Sequence, residues 1–353
     1  MKAIARVQLL VPVGIVLAAG LLVFLSSARH LFWYQLLWIT FGLIVFVAVE
    51  RFDWRSLVNV RFLVGGVYAF GILLLVATLL LAPSVRGVRS WLFFGSFQFQ
   101  ASEFMKAALI LLYAQFFSRG HMRIAHAGTL VTSFAFAALP AVLIALQPDL
   151  GSALILFFIW LGFVLVSGIR LRHLALAAIL FAVLGALLWG VWLEEYQKER
   201  VIGLFVPERD PLGVNYNVIQ SKIAVGSAGF FGKGFGQGTQ VQLGFLPEAS
   251  TDFALSAFIE EWGLAGGAVV VGAFLYLLVA ILRIGAAAEK NFEKFICLGT
   301  VIMLSTHFAI NAGSALGFLP VIGVPFPFLS YGGSNLLTSA FLVAIIHSIA
   351  ART

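Results

Sequence analysis

The chain has 353 residues, 61% of them hydrophobic and only 10% charged, with 35 phenylalanines and a formal net charge of +7. Soluble domains carry roughly 25% charged residues, so a water-dissolved globule is excluded and a lipid-embedded fold is expected. The surplus positive charge is scattered over short segments between apolar runs and forms no basic stripe on a soluble domain, which excludes nucleic acid as a partner.

Apolar runs long enough to cross a bilayer core, which takes about 20 helical residues, follow one another at residues 7–25, 31–49, 62–82, 101–117, 128–147, 151–167, 174–193, 262–282, 295–316 and 335–350. The expected fold is an all-α polytopic membrane protein of ten transmembrane helices, a single integral membrane domain over residues 1–353. An even number of spans places both termini on one side. Lys2, Arg6, Arg51, Arg55, Arg61, Arg119, Arg123, Arg170, Arg172, Arg283, Lys290, Lys294 and Arg352 share that side, while the short loops opposite hold only Arg29, Arg86 and Arg89. Lys and Arg in short loops stay cytoplasmic, so the termini are expected inside, against anionic inner-leaflet lipid. The three long loops, 83–100, 194–252 and 317–334, then lie outside, the largest between helices 7 and 8. Lys2 and Arg6 before an apolar run have the look of a secretory leader, but with membrane throughout the rest an uncleaved first span is expected. The lone Cys297 falls inside the ninth span and rules out an intramolecular disulfide. No internal repeat is visible, which speaks against a transporter built from matched halves.

Within the largest loop, Val218, Ile219, Ile223 and Val225 recur at helical spacing and predict a short helix over Tyr216 to Ala228, preceded by the turn residues Pro207, Pro211 and Gly213. A glycine-crowded stretch follows, with glycines at 226, 229, 232, 234, 236 and 238 around Lys233. It lacks the G-x-x-x-x-G-K-[ST] frame, so the expectation is a flexible loop with close backbone approach. Its exposed amides beside Lys233, Lys222 and Arg209 leave a diphosphate contact open.

The loop ends in Asp252, before an apolar run longer than one span needs. Ser250, Thr251 and Asp252 are good helix caps, and an acid there complements the helix dipole. The rival reading is a general base at an apolar, glycine-lined mouth, where desolvation raises proton affinity and nearby cations keep the group ionised. At about 100° per residue, Ser256 and Ile259 fall under Asp252 and Glu260 within a quadrant of it, while Glu261 lies opposite and is expected to face away. Gly263 and Gly267 form one G-x-x-x-G, read either as internal packing or as a seat for a partner helix.

Three further groups stand at outer span ends. Ser102, Glu103 and Lys106 open the fourth span, with Glu103 and Lys106 at i and i+3 as a structural ion pair or as a pocket wall offering Lys106 to an anion. Asp149, after Gln147 and Pro148, either caps the sixth helix or has a functional role. The segment GVPFPFLSYGGS, 323 to 334, carries Ser330, Tyr331 and Ser334 on non-helical backbone, which a membrane edge tolerates only beside protein or a watery cavity. The histidines at 30, 121, 126, 173, 307 and 347 are scattered over different sides and depths, so no zinc cage is expected. A divalent cation, Mg²⁺ or Mn²⁺, held by one carboxylate and substrate phosphates would leave no sequence signature.

Taken together, GVRSW (87 to 91), FQFQASEFMK (97 to 106), QPDLGSAL (147 to 154), GKGFGQGTQ (232 to 240), FLPEASTDF (245 to 253), EEWG (260 to 263) and the Pro320 to Ser334 stretch resemble the SEDS family of shape, elongation, division and sporulation proteins. That is the RodA, FtsW and SpoVE group, and the likeness runs over nearly the whole chain, closest to the RodA branch. The resemblance implies a peptidoglycan glycosyltransferase at the outer face of the bacterial cytoplasmic membrane. Its substrate would be lipid II, a disaccharide-pentapeptide on undecaprenyl diphosphate. It also implies that Asp252 matches the acid required for activity, and that Glu103, Lys106 and Asp149 match cavity positions. Lys106, Lys233, Arg200 and Arg209 are the candidate cations for the departing diphosphate, helped by a divalent ion. A class B penicillin-binding protein is the implied partner, its membrane helix packing on the eighth and ninth spans, along with other elongation-complex membrane proteins. Ala101 stands where a proline often precedes the Ser-Glu pair, a small departure.

Two other classes of function compete: a flippase for lipid II and a non-catalytic scaffold for a transpeptidase. A flippase needs polar groups along a path to the inner side, whereas the notable acids gather at outer mouths. A scaffold has no need of Asp252.

Overall fold

In a computed structural model the chain is described over residues 2–51, 61–85, 87–95, 97–120, 127–168, 185, 189–190, 195–206, 213 and 215–352. Helices α1 (Lys2–Ser27), α2 (Arg29–Arg51) and α3 (Arg61–Leu81) come first, then strands β1 (Trp91–Phe94) and β2 (Phe97–Gln100). Helices α4 (Ala101–Gly120), α5 (Ala127–Ala145) and α6 (Leu150–Val166) follow, then α7 (Glu195–Phe205), α8 (Tyr216–Ser227) and the single turn α9 (Thr239–Gln242). Helices α10 (Ala254–Ala287), α11 (Asn291–Ala315) and α12 (Gly333–Ala350) complete the chain.

Among the described residues seven helices, α1, α2, α3, α5, α10, α11 and α12, are long and apolar enough to cross a membrane. The chain is a multi-pass membrane protein. The expected spans 101–117 and 151–167 are helices as well, although α4 carries Ser102, Glu103, Lys106 and Gln115 and α6 has only 17 residues, and neither joins that set. The expected seventh span, 174–193, lies outside the described residues except at 185, 189 and 190. Helix α8 forms over the stretch whose apolar spacing predicted it.

A helix buried on all sides is a bundle's centre, and here that helix is α4. From Ala101 to Phe117 every residue is buried except Phe104, Leu112 and Phe116, which are half-buried. It packs on α3, α5, α6, α11 and α12, and its polar first turns are therefore enclosed by protein instead of lipid. Around the periphery α1 lies on α10, and α2 lies on α12. At one end Glu50 of α2 meets Arg6 of α1 at 3.4 Å and His347 of α12 at 3.5 Å, which ties three helix ends together.

The segment before α4, read as loop from the sequence, is an antiparallel hairpin with Trp91 opposite Gln100 and Phe94 opposite Phe97. Its signal was present: a Gly-Ser pair between aromatic runs is a two-residue hairpin turn, and Gly95 takes the positive φ of 63° that such turns demand. Phe97 packs edge-on against Trp38 and Phe41 of α2, with centroids 5.5 and 5.9 Å apart. The hairpin thus delivers Gln100 and Ala101 to the mouth of α4 in a fixed register.

Helix α10 is broken at Gly263, where φ is 73° and ψ is −178°. The break is filled by the glycine loop. Lys233 and Gly234 donate their N–H groups to the carbonyls of Glu260 and Glu261, both at 3.0 Å, while Leu264 and Ala265 donate theirs to Gly229 and Phe230 at 3.1 and 3.0 Å. The helical bonds lost at the break are replaced by bonds to the loop, as an apolar surrounding requires. A Cβ on Gly263 would sit 2.3 Å from Gly232 N, so two backbones touch here and only glycine fits. Gly263 of the G-x-x-x-G pair is therefore used for packing within the chain.

Candidate functional site

Asp252 stands on a tight turn in which the Glu248 carbonyl accepts the N–H groups of both Thr251 and Phe253, at 3.1 and 3.2 Å. The capping expected of Ser250, Thr251 or Asp252 is not realised. The helix starts at Ala254, its N-cap is Phe253, and no side chain bonds the cap. The helix begins two residues after Asp252, and Glu261, read as lying opposite Asp252, is buried against α1. Glu261 accepts from Ser26 Oγ of α1 and from Gln242 Nε2.

Three successive carbonyls of the Asp252 turn are held from outside. Tyr331 N donates to Ser250 O at 2.8 Å, Ser330 Oγ donates to Thr251 O, and Asn311 Nδ2 donates to Asp252 O at 2.9 Å. Ser330 Oγ also accepts from Phe326 N at 3.0 Å, so the 326–331 turn is rigid in itself. The turn lies close on α1, where a Cβ on Gly20 would come within 2.3 Å of Leu329 O. Burial pushes the Tyr331 phenol up from its ordinary value, a neighbouring Trp38 hydrogen bond opposes this, and Tyr34 adds to it, so Tyr331 stays neutral at physiological pH.

The same segment reaches the expected ion pair. Glu103 and Lys106 meet at 2.8 Å with side chains 2% and 1% exposed, on the first turns of α4. Asn335 Nδ2 of α12 donates to Glu103 Oε2 at 3.2 Å, and Lys106 Nζ lies 3.2 Å from His307 Nε2 of α11. His307 Nδ1 is 3.1 Å from the Pro325 carbonyl, which can only accept. Nδ1 therefore carries the proton, and Nε2 presents its lone pair to the ammonium. The lysine has two partners and one carboxylate to balance it.

Asp149 does cap: its Oδ1 accepts from Ser152 N at 3.0 Å at the start of α6. Its Oδ2 accepts from Gln100 Nε2 at 3.0 Å, and Gln100 N donates to Ser334 Oγ at 3.0 Å, so the acid is also wired to the hairpin and to α12. Ser102 Oγ of α4 donates to Ser152 Oγ at 3.2 Å. Asp149→Ala is expected to cost about 0.5–2 kcal/mol through the lost cap, while Asp149→Asn keeps an acceptor oxygen and most of that stability. Thermal midpoints of the two detergent-purified variants check this.

Lys233 is paired within the loop. Its ammonium lies 2.7 Å from Glu260 Oε1 and 2.7 Å from Thr239 Oγ1, and Glu260 is fully buried. Glu260 further accepts from Gln240 N at 2.9 Å and Val241 N at 3.2 Å. The buried carboxylate pairs with Lys233 much as Glu103 pairs with Lys106, and the Lys233 side chain stays 23% exposed. Arg209 lies outside the described residues, and Arg200 is on α7 with its side chain outside the description. Lys222 of α8 lines a pocket with Asn215, Ile219, Gly317 and Val321. Among the described residues no group of three or more His, Cys, Asp or Glu side chains is placed to hold a metal ion.

The structure thus joins Glu103, Lys106, Asp149, Ser330, Tyr331, Ser334 and the backbone of Asp252 through residues 324–335. Sequence reasoning missed His307, Asn311 and Asn335. Their signal was polarity inside apolar spans: His307, Asn311 and Ser314 stand three or four apart on α11 and share one face.

The family described as cell cycle protein, comprising FtsW, RodA and SpoVE, matches residues 3–353. The chain is 38% identical over 285 residues to the peptidoglycan glycosyltransferase MrdB of Escherichia coli (strain K12), covering 80% of this chain and 76% of that protein. It is 32% identical over 394 residues to the peptidoglycan glycosyltransferase RodA of Treponema pallidum (strain Nichols), covering 90% of this chain and 89% of that one. In solved structures it resembles, with a TM-score of 0.81 and 30% identity over 97% of this chain and 96% of the other, a chain from a peptidoglycan synthase complex that coordinates polymerization and crosslinking.

Proposed function

The chain belongs to the FtsW, RodA and SpoVE family of cell cycle proteins, and from that premise we propose that it is a peptidoglycan glycosyltransferase in which Asp252 is the general base. The substrate is lipid II. A hydroxyl of the acceptor sugar attacks the anomeric carbon of the donor, Asp252 takes the hydroxyl proton, and the bond to undecaprenyl diphosphate breaks with inversion. The new C–O bond extends the glycan strand, and the diphosphate leaves with the electron pair. Lys106, with Arg200 and Arg209 from the outer loop, supplies positive charge for that leaving group. Mg²⁺ or Mn²⁺, held by one carboxylate and the donor phosphates, would neutralise the diphosphate.

One observation carries the reading: two carbonyls of the Asp252 turn are held by residues 330 and 331, and the third by Asn311, which also holds Val324 O of the segment that reaches the buried Glu103–Lys106 pair. An acid with no catalytic duty does not need its backbone held at three successive positions. In the proposed ten-span arrangement with cytoplasmic termini, this wall lies at the outer face of the bacterial cytoplasmic membrane, where it serves elongation and rod shape beside a class B penicillin-binding protein.

The test is lipid II polymerisation by the purified chain, with and without a class B penicillin-binding protein, for wild type and Asp252→Asn. Glycan strands from wild type alone are the expected result. Lipid II scrambled across liposomes with no polymer would make the chain a flippase, and full polymerisation by the variant would remove Asp252 as the base.

A further inference from the structure

Asn311 lies in the last turns of an apolar helix and is 1% exposed. Its Nδ2 donates to two carbonyls at once, Asp252 O and Val324 O, both at 2.9 Å. Its Oδ1 is buried and accepts from nothing. A residue chosen only to fill that space would be a leucine, because an orphaned buried oxygen is costly and such sites need an explanation. One turn earlier on the same face, His307 holds Pro325 O and touches Lys106. Two side chains of α11 therefore grip the adjacent carbonyls of residues 324 and 325, and one of them also grips the residue that carries the acid.

We propose that Asn311 is a positioning residue for Asp252, clamping its carbonyl to residue 324, with His307 linking the same segment to the Glu103–Lys106 pair. This rests on the reading of Asp252 as the base. The clamp on Asp252 O follows the bonds made by residues 331 and 330 to Ser250 O and Thr251 O, and holds the third successive carbonyl before the helix begins. With it gone, the Asp252 peptide can rotate while Phe253 stays seated in the core, where it is 1% exposed. The acid then moves relative to the acceptor hydroxyl, and a shift near 1 Å costs about 100-fold in rate.

Asn311→Leu in the full chain, assayed on lipid II, is expected to lower turnover about 100-fold with KM within about threefold, since an interaction used only in the transition state is lost. Amide exchange should quicken over residues 249–253 and 322–326 and remain unchanged elsewhere. In the Asp252→Asn background the same substitution should alter the residual rate less than about twofold, because the two act through one group. Wild-type turnover with quickened exchange, or an undiminished 100-fold loss without the carboxylate, overturns the clamp. Wild-type turnover in Asp252→Asn alone defeats the base, while exchange still decides whether Asn311 holds the turn. Should Asn311→Leu fail to fold, Ser330→Ala removes the neighbouring grip on Thr251 O and is expected to lower turnover about tenfold with the same exchange signature; unchanged turnover there also overturns the clamp.

Discussion

Asp252→Asn is expected to slow lipid II polymerisation by about 10²–10⁴-fold, the usual contribution of a positioned acid or base. That is about 2.7–5.5 kcal/mol of transition-state stabilisation. The substitution separates the base from its rival role as a cap. Asn and Asp are equally good caps, so a capping Asp252 would give a fully active variant. The N-cap is Phe253, and the hydrogen bonds that Tyr331, Ser330 and Asn311 donate to the turn are accepted by backbone carbonyls that Asn retains. The expected thermal midpoint is that of wild type, within about 0.5 kcal/mol. Loss of activity together with an intact midpoint in detergent places the effect in the carboxylate, and a scaffold would show neither change. Activity falling only in step with the midpoint would mean that the acid is structural.

Much of the fold was legible because its physics is local. Apolar runs of span length mark most of the helices, and the spacing of Val218, Ile219, Ile223 and Val225 marks α8. The grouping of Glu103, Lys106 and Asp149 followed from their positions at span ends. What stayed hidden depends on partners far away in sequence. The glycines at 232 and 263 read separately as a flexible loop and a helix-packing motif, yet each is a glycine because the other's backbone occupies the space its Cβ would take. The pairing of Lys233 with Glu260, 27 residues on, shows only in three dimensions. Asp252 looked like a cap because caps are judged on the next three residues, while the turn at Glu248 that delays the helix is local but unusual, with a φ of 54° at a non-glycine residue.

Breaking the buried pair is expected to have a comparably large effect, on folding as well as on rate. With Glu103 and Lys106 both almost fully enclosed, removal of one partner leaves a charge that neither water nor lipid can solvate, at a cost of about 3–5 kcal/mol. Lys106→Met leaves Glu103 with Asn335 as its remaining recorded donor and takes from His307 the donor facing Nε2. Glu103→Gln leaves an ammonium beside His307 with no carboxylate to balance it. The double variant Glu103→Gln/Lys106→Met removes both charges together, so its midpoint should return toward wild type, with a coupling of about 2–3 kcal/mol in the cycle. Polymerisation should not return with it. If Lys106 serves only to balance Glu103, restoring the fold restores the rate; if it faces the departing diphosphate, a stable and inactive double variant is the outcome. Midpoints and lipid II turnover measured on the same four proteins decide between these, and a double variant with wild-type turnover would confine the pair to a structural role.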